Sequence, residues 1–137
     1  MGRREPADGS LTVALHQALS QVAQQVEQVT AQDGVGLHQW LVMRPLAAQG
    51  DLTMGDLVAG TGLNDSTLTR VVDRLATSGL VFRGVDPTDR RRVRVSLSAR
   101  GRTLHDRLAP AVEVCEAALL DELGRSSLAR SLAARVQ

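Results

Sequence analysis

Apolar residues recur every three or four positions towards both ends of the chain, and the period shortens to two only in a stretch beyond the middle. From Ser10 to about Gln32, Leu15, Leu19, Val22, Val26 and Val29 mark one stripe of a long helix. Leu104, Leu108, Val112, Cys115 and Leu119 mark a second before Gly124. Behind Ser126, a candidate cap, Leu128, Leu132 and Val136 predict a short last helix. Another helix is expected near Leu37 to Gln49, with Pro45 kinking or breaking it. Leu52-Thr53-Met54-Gly55-Asp56 carries a Thr-x-x-Asp helix start, and Gly62-Leu63 supplies a tight turn. Residues 1–9, with Arg3, Arg4 and Pro6, read as a disordered tail.

After that turn comes a short helix whose two sides differ sharply. At 100° per residue, Leu68, Val71, Val72 and Leu75 share one face, whereas Ser66, Arg70, Asp73 and Thr77 point away, flanked by Thr67 and Arg74. Asn64 is the expected N-cap, and Gly79 is placed to end the helix in a left-handed conformation. A polar back alone reports only that one side is buried. Short hydroxyls at a helix start suit phosphate oxygens, however, and an arginine fork can bond guanine O6 and N7 together.

Two strands follow without a linker, Leu80 to Val85 and Arg92 to Leu97. Val93, Val95 and Leu97 alternate with Arg92, Arg94 and Ser96, which predicts one buried and one cationic face. Between the strands Pro87 fixes a φ angle, and Asp86 and Asp89 are expected to brace the turn by bonding backbone or adjacent arginines. A helix-turn-helix carrying a cationic ribbon can read the major groove with its second helix and the narrower minor groove with the ribbon.

Charge sharpens that picture. All 16 basic residues are arginine, and the formal net charge is only +1. Between Asp65 and Arg102 nine arginines face four aspartates, a net +5, while the rest of the chain stands at −4. Local charge, more than the total, points to a polyanionic partner. The residues contain no Gly-rich phosphate loop, nucleophile elbow or Ser/His/Asp arrangement, so an enzyme is not expected. His16, His38 and His105 lack metal-ligand spacing, and no metal or other cofactor is expected. Cys115 lies in register with Leu108, Val112 and Leu119 and reads as packing. No apolar run approaches the roughly 18 residues that span a bilayer, and no signal-peptide core is visible, so a cytoplasmic protein is expected.

From Gly36 to Arg107 the chain resembles the MarR family of bacterial transcription factors. The string LTMGDLVAGTGLNDSTLTRVVDRLATSGLVFRGVDPTDRRRVRVSLSARG carries the resemblance. In it a Thr-Arg-x-x-Asp-x-Leu helix, a Gly-Leu-Val strand start, an Asp-Pro-x-Asp-Arg-Arg wing and a Leu-Ser-x-x-Gly segment follow in order. The resemblance implies a mainly α fold with a small β-hairpin: a winged helix-turn-helix DNA-binding lobe over residues 35–97, and terminal helices over 10–34 and 98–137 forming a dimerisation lobe. It implies a homodimer on a pseudo-palindromic operator of double-stranded DNA, in a family of mostly repressors. Ser66, Thr67, Thr69, Arg70 and Arg74 would serve the major groove and phosphates. Arg90 and Arg91 occupy the wing tip, one bracing the hairpin against an aspartate such as Asp86 and one, expected to be Arg91, entering the minor groove. Arg92 and Arg94 stand where relatives have smaller or apolar residues, and backbone contacts by them are an expectation of this sequence alone.

Many relatives bind a small aromatic or phenolic anion between the dimerisation helices and the winged lobe, which weakens DNA binding. His16, His38, Trp40 and Arg44 are the candidates here. The competing expectation is a winged-helix module that binds protein, which arginines on both helix and wing disfavour.

Overall fold

The computed structural model describes residues 10–136. The tail expected at residues 1–9 lies outside them. The described residues form two compact units, one comprising those up to Val29 together with those from Pro110, the other running from Thr30 to Ala109.

The first unit contains α1 (Leu11–Thr30) up to Val29, the later part of α5 (Ala99–Gly124), and α6 (Ser127–Val136). The Ser10 hydroxyl accepts the Val13 N–H at 3.4 Å at the start of α1. Ala14, Val26, Val112 and Leu119 are buried, whereas Leu15, Leu19, Val114 and Leu120 are exposed. Cys115 is a half-buried free thiol.

The second unit holds α2 (Leu37–Gln49), β1 (Leu52–Thr53), α3 (Met54–Thr61), α4 (Asp65–Thr77), β2 (Val81–Val85), β3 (Val93–Leu97) and the first part of α5. Pro45 does not break α2, which runs as one helix with the proline inside it. Proline deletes a single backbone bond, to the Leu41 carbonyl. Burial of Trp40, Val42, Met43 and Leu46 anchors both sides of the gap. The start signal before α3 forms a complete capping box: the Thr53 hydroxyl accepts the Asp56 N–H and the Asp56 carboxylate accepts the Thr53 N–H, both at 3.1 Å. Gly62 then turns the chain at φ 73°.

Helix α4 is capped by Asn64, whose side-chain oxygen accepts the Thr67 N–H at 2.8 Å. It buries Leu68, Val71, Val72 and Leu75. At its end Gly79 is left-handed, and Leu80 N–H reaches back to the Leu75 carbonyl at 2.9 Å. The sheet has the order β1-β3-β2, all antiparallel, with Arg83 opposite Val95, Gly84 opposite Arg94 and Thr53 opposite Arg94. Strand β1 is an addition to the expected hairpin.

The Ser98 hydroxyl donates to the Gly79 carbonyl at 2.6 Å and accepts the Gly101 N–H at 3.0 Å, joining the end of α4 to the start of α5. Gly101 packs so closely that a Cβ there would lie 2.0 Å from the Leu80 carbonyl oxygen. These contacts, with an Arg107 to Asp33 ion pair at 2.7 Å, hold residues 99–109 in the winged unit. The compact unit that contains the winged elements thus runs on into α5 as far as Ala109.

Candidate nucleic-acid interface

On α4 the side away from the core presents Ser66, Thr69, Arg70, Asp73, Arg74 and Thr77, with Thr67 half-buried beside them. The Thr69 hydroxyl donates to the Asp65 carbonyl at 2.8 Å, so its proton is spent within the helix and unavailable to a phosphate oxygen. Arg70 and Arg74 have no hydrogen-bond or ion-pair partner for their side chains among the described residues. Asp73 is exposed on the same helix but is neutralised by an ion pair with Arg83 of β2.

Sequence reasoning passed over Arg83. The signal was its register, because in a strand that packs on α4 through Val81, the residue two places on points to the same side. Arg83 remains partly exposed there and meets a carboxylate. Here the carboxylate comes from the recognition helix itself.

In the wing, the turn braces itself through two aspartates. Asp86 Oδ1 accepts the Thr88 N–H at 2.8 Å and the Thr88 hydroxyl at 2.7 Å, and Oδ2 accepts Arg94 Nε at 3.1 Å. The hydroxyl and amide of Thr88, then Arg94, pull the Asp86 carboxyl down to about 2, against burial that opposes the charge. Asp89 accepts the Arg91 N–H at 3.0 Å and Arg91 Nε at 3.2 Å, which holds its carboxyl below the usual range, and it lies 3.7 Å from Arg92 Nε. The aspartate expected to hold a wing-tip arginine, Asp86, instead holds Arg94, which also lies 3.7 Å from Asp51. Arg91 is tethered to Asp89 yet 90% exposed, and Arg90 is exposed with no side-chain partner among the described residues.

The expected alternation of a buried and a cationic hairpin face holds only at the hairpin base. Val81 and Val95 are buried, whereas Val85 and Val93 near the tip are exposed and Arg94 is half-buried. An open cleft of about 440 Å³ lies there, lined by Met54, Thr69, Val72, Arg83, Gly84, Val85 and Val93.

Of the four effector candidates, the structure brings two together. Trp40 is buried and Arg44 lies 5.8 Å from its ring centroid. His105 completes the group, stacked on Trp40 at 5.1 Å with 11° between the planes. Arg44 Nη1 lies 3.2 Å from His105 Nε2, and Asp106 Oδ1 lies 2.9 Å from Nδ1. A guanidinium can only donate, so the contact with Arg44 calls on Nε2 as the acceptor. His38 is exposed, and His16, also exposed, belongs to the other unit. Among the described residues no group of three or more His, Cys, Asp or Glu could hold a metal ion, and no helix is long and apolar enough to cross a membrane.

A helix-turn-helix with unpaired arginines on its second helix, continued by an arginine-tipped hairpin, defines a winged helix-turn-helix protein. Comparison with known proteins narrows the class. The model of the MarR family matches residues 33–92. An uncharacterised HTH-type transcriptional regulator of Mycobacterium leprae is 34% identical over 98 residues, 72% of this chain and 68% of that one. The homoprotocatechuate degradative operon repressor of Escherichia coli is 28% identical over 104 residues, 76% of this chain and 70% of the repressor. The solved structure of NadR in complex with 4-hydroxyphenylacetate matches with a TM-score of 0.73 at 29% identity, covering 99% of this chain and 96% of NadR. The chain belongs to the MarR family.

Proposed function

We propose that this regulator is a homodimeric repressor that binds a pseudo-palindromic operator and releases it when a small aromatic or phenolic anion binds. The observation that carries DNA binding is the pairing state of the arginines. Arg70, Arg74 and Arg90 are exposed and without side-chain partners among the described residues, at the two places where a winged helix meets the major and minor grooves. Arg70 and Arg74 serve base edges and phosphates together with Ser66 and Thr67 at the helix start. Thr69, its proton spent, has a smaller part. Arg90 and the tethered Arg91 serve the minor groove, and Arg92 the flanking backbone.

The dimer is supported by apolar surface. Leu15, Leu19, Val114 and Leu120 are 47–73% exposed, and a second copy is the partner that covers them in a symmetric regulator. Release by an aromatic anion is supported by the relatives: one is an operon repressor and another was crystallised with 4-hydroxyphenylacetate. In the winged unit Arg44 offers such a molecule an exposed cation, seated beside the buried ring of Trp40. A non-enzymatic protein of the cytoplasm, where operators lie, is part of the same reading.

Selection from a random pool of duplexes tests it. The expected product is an inverted repeat bound by two chains, its half-sites about one helical turn, roughly 10 base pairs, apart. A pool that stays random through successive rounds would overturn the proposal.

A further inference from the structure

Among the described residues Arg94 is the one wing arginine whose guanidinium spans two carboxylates. Nε lies 3.1 Å from Asp86 Oδ2, and Nη1 lies 3.7 Å from Asp51 Oδ2. It sits on the central strand, opposite Gly84 on one side and Thr53 on the other. Its guanidinium reaches from Asp51, just before β1, to Asp86 at the hairpin turn. The Asp86 side chain is only 2% exposed, and Thr88 satisfies just one of its oxygens. Withdrawing Arg94 to a phosphate would leave the other oxygen a buried, uncompensated charge. On the opposite sheet face Arg83, in register with Val95, pairs with Asp73 of α4. The hairpin is thus held from both faces, by one arginine to the recognition helix and by another to Asp51, just before β1.

We propose that Arg94 does not touch DNA but acts as a positioning residue, bridging Asp86 and Asp51 so that the wing presents Arg90 and Arg91 at a fixed angle to the recognition helix. This rests on the operator-binding reading above and adds to it a division of labour among the arginines. Arg70, Arg74, Arg90 and Arg91 read or grip DNA, while Arg83 and Arg94 set the geometry between the two readers.

The test is the sign of a charge effect. Asp86→Asn and Asp51→Asn each remove a negative charge beside Arg94, and by electrostatics alone both would tighten binding. Bracing predicts the reverse for D86N: about tenfold weaker binding to the selected duplex, as expected within one ion-pair network. Hydroxyl-radical protection would disappear at the outer flanks and persist over the half-site centres. R94Q should match that loss, and R94Q/D86N should be no weaker than either single variant, because both substitutions remove one contact. D51N, at an exposed carboxylate and so safe for folding, should not tighten binding. Tighter binding by D86N or D51N, or additive losses in the double variant, would put Arg94 on the DNA. Amide hydrogen exchange over residues 86–92 of the DNA-free protein supplies a separate reading and should accelerate in R94Q. A wild-type protein that selects no duplex would sink the operator reading, whereas unchanged exchange in R94Q would sink the brace.

Discussion

At the scale of single residues, the arginines are sorted by their neighbours more than by their number. Arg70 is free on the exposed face of α4, and as a base reader its truncation carries a local penalty. We expect Arg70→Ala to relax preference at one position per half-site by about 1–3 kcal/mol, measured by binding to single-base variants of the selected duplex. Arg90→Ala should instead weaken binding to every sequence and lower the slope of log affinity against log salt by about 0.9 for each phosphate lost. Identical profiles for the two variants would contradict these roles. The carboxylates give the residue scale a pH signature. Asp86 is held at about 2 in the folded chain against an ordinary 3.8, so the unfolded chain takes up its proton more readily. Its contribution is complete above 3.8 and is lost as pH falls towards 2. Asp56, lowered by the Thr53 amide and hydroxyl, and Asp89, lowered chiefly by Arg91, act in the same direction. Acid unfolding should therefore begin at higher pH in Thr88→Val, which removes the Asp86 hydroxyl bond, than in the wild type. Coincident acid transitions would show that the bond adds nothing to stability.

At the scale of elements, what could be read from the chain was whatever local chemistry decides. The apolar spacing of Leu68, Val71, Val72 and Leu75, the Asn64 cap and Gly79 at φ 72° are properties of a few consecutive residues, and α4 follows from them. Strand β1 could not be read, because Leu52 and Thr53 carry a helix-start signal and become a strand only by pairing with Val95 and Arg94 some forty residues on. Continuity of α2 through Pro45 was hidden for a similar reason, since buried neighbours outweigh a single missing hydrogen bond. Arg83 with Asp73, Arg94 with Asp86, and His105 on Trp40 are all products of folding, so the candidate site was legible as a list of arginines but not as a division between free and committed ones. The junction of α4, β2 and α5 makes an element-scale prediction. Because a Cβ on Gly101 would meet the Leu80 carbonyl oxygen at 2.0 Å, backbone must move to admit it. Gly101→Ala should destabilise by about 1–3 kcal/mol or more, read as a lower denaturation midpoint. An unchanged midpoint would show the junction to be looser than the contact implies.

At the scale of the whole molecule, polarity is the governing feature. A segment of net +5 is set against a remainder of −4, so an almost neutral chain can concentrate its cationic surface on one lobe. The exposed leucines and valines of the first unit call for a second copy, and a second copy doubles the number of readers presented to a duplex. Selective binding of a duplex by a dimer follows from these two features. The most direct test is fluorescence anisotropy of the purified protein with the selected duplex and with a scrambled one, over a series of salt concentrations. Two chains per selected duplex, a marked preference over the scrambled sequence, and an affinity that falls steeply with salt as phosphate contacts are lost are the expected result. Equal, weak binding to both duplexes would contradict it and turn the arginine surface towards a protein partner.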